Sequence, residues 1–104
     1  MTTVSTHVLD TSSGRPAEGV PVQLDQLTDG EWKAVGASRT DADGRAKDLP
    51  EPDLASGTVL RLRFETRGPF FPEVAIVFEV DPAQPHYHVP LLLNPFGYSV
   101  YRGS

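Results

Sequence analysis

Cysteine is absent from all 104 residues, which excludes a disulfide framework, a thiolate metal site and a thiol nucleophile. Chemistry has to come from His, Arg, Lys, Ser, Thr, Tyr and carboxylates. Basic residues are scarce as well: nine lysines and arginines stand against fourteen aspartates and glutamates, for a net charge of -5 at pH 7. That sign is wrong for a general nucleic-acid binder, whose affinity rests on many phosphate contacts, so no nucleic-acid partner is expected. No apolar run approaches the ~20 residues of a membrane-spanning helix. The opening MTTVSTHVLD lacks the cationic start and apolar run of an export signal. A cytoplasmic protein without a membrane partner is the expectation. Helical signals are missing too, since no segment carries a capped apolar stripe with a period of about 3.6 residues.

What the chain does have is punctuation. Nine glycines and ten prolines break it at short intervals, and between them apolar residues recur at every second position. In TVLRLRFET, Leu60, Leu62 and Phe64 share one face while Arg61, Arg63 and Glu65 share the other, the pattern of a half-buried strand. Val74, Ile76, Phe78 and Val80 alternate likewise, as do Val20, Val22 and Leu24. Residues 4–10, 31–38, a short piece after Gly44, 88–93 and 96–102 bring the total to about eight strands, joined by turns such as DADGR and LNPFG. The last of these is expected to pair as far as Arg102, holding Gly103 and Ser104 in place. The prediction is an all-β, two-sheet antiparallel sandwich with little or no helix, and residues 1–104 form a single domain.

Three histidines draw attention because imidazole exchanges protons near neutral pH. His7 sits on the first strand with Ser5 and Leu9 on its face. His86 and His88, two apart, emerge together if Tyr87 is extended. The three could in principle hold zinc, although HxH spacing alone carries little weight. Taken singly, His7 reads as a structural histidine and His86 as a solvated loop residue beside Pro85. Arg45, the first side chain after the TDADG turn, reads alone as a solvated charge; its guanidinium fork could also hold an imide or carboxylate and stabilise a developing oxyanion. Arg102 offers the same chemistry near the other end. Ser104 would present a hydroxyl beside an α-carboxylate, and Gly103 permits a backbone path that other residues resist.

These residues fall in four blocks, STHVLDTSSGRPAEGVPVQL at 5–24, TDADGR at 40–45, FFPEV at 70–74 and HYHVPLLLNPFGYSVYRGS at 86–104. Together they resemble the 5-hydroxyisourate hydrolases of the transthyretin-like family nearly end to end. The YRGS ending carries much of the specificity, because hormone-carrying transthyretins of the same fold lack it. The resemblance implies His7, Arg45, His88 and Ser104 as catalytic residues, and Arg45, Tyr101, Arg102, Gly103 and Ser104 as substrate-binding ones. It implies no metal and no cofactor, 5-hydroxyisourate as substrate, and a homotetramer whose active sites lie at the dimer–dimer interface.

By the same resemblance, a directly attacking water opens the cyclic acyl-urea bond. The alternative is a non-catalytic carrier that holds a small ligand in the central channel. A structural or adhesive sandwich module is a further rival, less apt for a chain with no export signal. One departure stands out. Only Arg67, Gly68 and Pro69 separate RLRFET from FFPEV, where the family usually has a longer segment with a short helix.

Overall fold

Residue alternation drives the chain into two layers, as seen in a computed structural model that describes residues 1–103. The strands are β1 (Thr3–Asp10), β2 (Arg15–Pro16), β3 (Pro21–Thr28), β4 (Glu31–Arg39), β5 (Arg45–Ala46), β6 (Val59–Phe64), β7 (Val74–Glu79), β8 (His86–Asn94) and β9 (Gly97–Val100). A 3₁₀ turn at Leu54–Ser56, capped by the Asp53 side chain, is the one helical element among the described residues. No described helix is long and apolar enough to cross a membrane.

One sheet has the order β2-β1-β8-β9 with β5 also paired to β1; the other has the order β4-β3-β6-β7. Leu60, Leu62 and Phe64 of β6 point inward and are fully buried, facing Val4 and Val8 of β1 and Leu91 of β8 across the sandwich. Each such side chain contributes ~1.5–3 kcal/mol by leaving water. The polar intruder on the inner face of β1, Thr6, is buried without penalty because its hydroxyl donates to Val89 C=O at 2.5 Å.

The two-sheet sandwich matches the sequence pattern, with one directional difference. β1 and β8 run parallel, in register from Thr3 opposite His86 to Asp10 opposite Leu93. Parallel neighbours need a long crossover, and here the whole second sheet lies between the two strands in sequence. Period-two alternation is the same in either direction, so it carries no information on this point. β2, two residues long, is too short to show any period.

The last strand also ends sooner than expected. It stops at Val100, and the ladder resumes only as an isolated bridge between His88 and Gly103. The cause is Pro90, which lies in the middle of β8 and has no N–H to return to Tyr101. Tyr101 N–H still donates to Pro90 C=O at 3.4 Å, and Gly103 N–H to His88 C=O at 2.8 Å.

Between β6 and β7 no helix forms. The connection closes as a hairpin through Arg67 N–H to Pro72 C=O at 2.9 Å and Gly68 N–H to Phe71 C=O at 3.2 Å. Phe71 packs edge-on against Tyr98, with ring centres 5.2 Å apart, which ties this hairpin to β9. On the outer face of the second sheet, Asp25 is nearly buried between Arg61 and Arg63, at 2.9 and 2.7 Å. Burial pushes its carboxyl up, but hydrogen bonds from Arg63, Gln23 and Arg61 outweigh that and hold it below the ordinary carboxylate range.

Candidate active site

The pleat that sends Val4, Thr6 and Val8 inward sends Ser5, His7 and Leu9 to the outer face of the first sheet. Register does the rest. His88 lies opposite Ser5 on one side of β1, and Arg45 lies opposite His7 on the other. Three residues 81 positions apart at the extremes thus share one open face.

The turn before β5 serves both Arg45 and His7. Asp41 Oδ1 accepts from Asp43 N–H at 2.9 Å and from Arg45 N–H at 3.0 Å, which holds its carboxyl below the ordinary range. Gly44 completes the reversal at φ 77, and a Cβ there would meet Val8 O at 2.4 Å, so no other residue fits. Asp43 C=O, exposed by this turn, lies 2.8 Å from His7 Nε2. A carbonyl only accepts, so His7 carries a proton on Nε2 and turns Nδ1 elsewhere. Arg45 is exposed, and no described carboxylate pairs with it. Its charge remains available to a ligand.

His88 is half-buried. Burial pushes its pKa below the ordinary histidine value, and the neighbouring Arg45, His7 and His86 push the same way. The imidazole is therefore neutral at pH 7 and able to accept a proton. Gly103 lies directly against it: a Cβ on Gly103 would sit 2.7 Å from His88 Cδ2 and 3.2 Å from Pro90 Cγ.

Not all residues singled out by sequence join this face. Arg102 turns to the inner side, its guanidinium 4.7 Å from the centre of the Tyr87 ring. Tyr101 and Arg102 border a cleft of about 380 Å³ between the sheets, together with Ile76, Phe78, Tyr87 and Val100. The side chain of Ser104 lies outside the described residues. His86, expected as a solvated loop residue, is exposed but opens β8 and has both ring nitrogens engaged, by Thr3 and by Ser5. The β1 register causes this, because it sets Thr3 opposite His86.

Sequence reasoning gave no role to Ser5. Its hydroxyl lies 2.9 Å from His86 Nε2 and 2.8 Å from His88 Nδ1. The available signal was its position two residues before His7, on the same face. Among the described residues no cluster of three His, Asp or Glu side chains has the geometry to hold a metal ion.

A neutral imidazole, a second imidazole and an unpaired guanidinium on one open face can bind a planar polar ring, activate water and stabilise an oxyanion. Comparison with known proteins points in the same direction. Residues 4–103 match the HIUase/Transthyretin family. The chain is 44% identical over 110 residues to a 5-hydroxyisourate hydrolase of Salmonella typhimurium, covering 97% of this chain and 80% of that one. It superimposes on the structure of Klebsiella pneumoniae 5-hydroxyisourate hydrolase with a TM-score of 0.82 and 36% identity, covering both chains in full. Sea bream transthyretin in complex with thyroxine gives a TM-score of 0.86 at 30% identity, over 96% of this chain and 93% of that one.

Proposed function

This chain belongs to the HIUase/Transthyretin family, and on that premise we propose that it hydrolyses 5-hydroxyisourate in urate degradation. The cyclic acyl-urea bond between N1 and the C6 carbonyl opens to give 2-oxo-4-hydroxy-4-carboxy-5-ureidoimidazoline. The observation that carries this reading is the convergence of His7, Arg45 and His88 on one face, with His88 held neutral.

Water attacks the carbonyl directly, without a covalent intermediate. One imidazole takes the proton from that water, and the other orients the water or protonates the departing ring nitrogen; positioned acid–base catalysis of this kind gives ~10²–10⁴-fold. Arg45 binds the polar edge of the substrate and stabilises the oxyanion, where one well-aimed donor commonly supplies ~3–4 kcal/mol. Gly103 holds the His88 ring in position, and Ser104 completes the hydrogen-bond set around substrate and histidine. In this reading the protein is a cytoplasmic homotetramer of single-domain subunits, and the open sheet face carrying His7, Arg45 and His88 lines a channel between dimers.

The thyroxine complex of the sea bream protein keeps a carrier reading in view, but fold alone does not decide function. A carrier needs a mainly apolar lining. The outer face here presents two imidazoles and a guanidinium instead. The test is the ultraviolet absorbance of 5-hydroxyisourate freshly made from urate, followed with and without the protein. Accelerated decay supports the hydrolase; decay at the spontaneous rate, with ligand bound, supports the carrier.

A further inference from the structure

Resting on the hydrolase reading, we infer that Ser5 and His86 form a proton relay behind His88, which leaves Nε2 of His88 free as the base and connects it to solvent. The hydrogen bonds run Thr3 to His86 to Ser5 to His88, and the relay assigns them one direction. The Thr3 hydroxyl donates to Pro85 C=O, 3.4 Å away, which only accepts. It then accepts from His86 Nδ1–H, at 2.5 Å. That leaves a lone pair on His86 Nε2, which takes the Ser5 hydroxyl proton at 2.9 Å. Ser5 has one proton to give, so it accepts from His88 Nδ1–H at 2.8 Å. Nε2 of His88 is left with its lone pair and no partner among the described residues.

The parallel register makes this chain of bonds possible. It sets Thr3 opposite His86 and Ser5 opposite His88, so two hydroxyls of β1 interleave with two imidazoles of β8. Electrostatics makes it useful. Besides His86 on its own strand, the groups facing His88 are His7 on β1 and Arg45 on β5, and no described carboxylate pairs with any of the histidines. Storing a proton on His88 would create a second cation beside Arg45 in a half-buried place. Passing it on avoids that.

In the attack step, water gives its proton to His88 Nε2 as its oxygen bonds to the carbonyl carbon. His88 Nδ1 releases its proton to Ser5, Ser5 passes its own to His86 Nε2, and His86 gives its Nδ1 proton to the Thr3 hydroxyl, which releases its own proton to the solvent around this exposed residue. Every bond in the relay is now reversed, and His88 carries a proton on Nε2. It gives this proton to the departing ring nitrogen as the carbon–nitrogen bond breaks. The relay then resets by taking one proton from solvent at Thr3 Oγ1, which returns its own to His86 Nδ1. One water is consumed, and no residue changes its net charge.

The experiment compares wild type, Ser5→Ala and His86→Ala in 5-hydroxyisourate turnover. It is paired with ¹⁵N NMR of the imidazole tautomers, which needs no substrate. The expected result is a ~10–100-fold fall in kcat for both variants with KM changed little, part of the ~10²–10⁴-fold that acid–base catalysis supplies. Imidazole in the buffer should restore His86→Ala, whose site is exposed, and not Ser5→Ala. A proton inventory in mixed H₂O and D₂O should be curved for wild type and linear for Ser5→Ala. The NMR should show neutral His88 protonated on Nδ1 in wild type, with that preference lost in Ser5→Ala. An active wild type matched by both variants, or a His88 protonated on Nε2, overturns the relay. A wild type that leaves 5-hydroxyisourate untouched overturns the hydrolase reading, while the tautomers still judge the order of the hydrogen bonds.

Discussion

Gly103→Ala isolates the placement of His88 from everything else in the molecule. Gly103 does not have a left-handed backbone, so alanine there brings no conformational strain. Only the added methyl matters. It would sit 2.7 Å from His88 Cδ2, about 1 Å inside the ~3.5–4.0 Å separation at which carbon atoms attract. Pro90, whose Cγ and Cδ lie 3.2 and 3.3 Å from the same point, blocks retreat on one side. The imidazole therefore gives way by roughly 1 Å, a displacement that can cost ~10²-fold in rate, or about 2.7 kcal/mol in the barrier. The assay is initial-rate decay of 5-hydroxyisourate beside a thermal melt. The expected result is a hundredfold drop in kcat/KM with Tm unchanged, because the isolated bridge to Gly103 adds little to the fold. Gly97→Ala is the control: its Cβ would meet nothing nearer than Asn94 Oδ1 at 3.5 Å, an ordinary contact, and activity should persist. A fully active Gly103→Ala would refute the claim that this residue sets the position of the base.

Arg45→Met should lower kcat/KM by ~10²–10³-fold through loss of the oxyanion donor. It should also move the acid limb of the pH–rate profile upward, since removing a cation beside His88 lets its depressed pKa rise; a limb that stays in place would exclude Arg45 from the electrostatics of His88. Arg102→Ala, which removes a guanidinium stacked on Tyr87, should cost ~0.5–1 kcal/mol of stability and leave KM nearly unchanged. A large rise in KM would instead give Arg102 the substrate contact that the sequence resemblance implies. Asp25→Ala strands Arg61 and Arg63 and should destabilise by ~2–3 kcal/mol at pH 7, less than for a fully buried pair because both guanidiniums reach solvent. Because the folded pKa of Asp25 is depressed, its contribution is complete above the unfolded value of ~3.9 and is lost as pH falls through the folded one. Urea melts of both proteins should therefore converge in acid, and a constant gap would point to a different cause.

The half-buried strands were readable because their alternation is strict: Leu60, Leu62 and Phe64 against Arg61 and Arg63 leave one choice of inner face. Strand partners were not readable. The parallel pairing of β1 with β8 joins residues some eighty positions apart, and a period of two is blind to both direction and partner. The same limit applies at the site. Resemblance singled out His7, Arg45 and His88, and the register places them together. The engagement of His86 depends on that register, so local sequence read it as a loop residue. The stacking of Arg102 on Tyr87 had no local signal either, since it follows an interruption of the ladder at Pro90, which has no N–H.

The placement of the site is tested most directly by a crystal structure of the assembled protein with urate, a planar relative of the substrate that lacks its hydroxyl. The expected density lies on the outer face of the first sheet, with the polar edge of the ring on Arg45 and His88 Nε2 within hydrogen-bond reach. Urate seated instead in the cleft beside Tyr87 and Arg102, with His7, Arg45 and His88 untouched, would contradict the mechanism at its root.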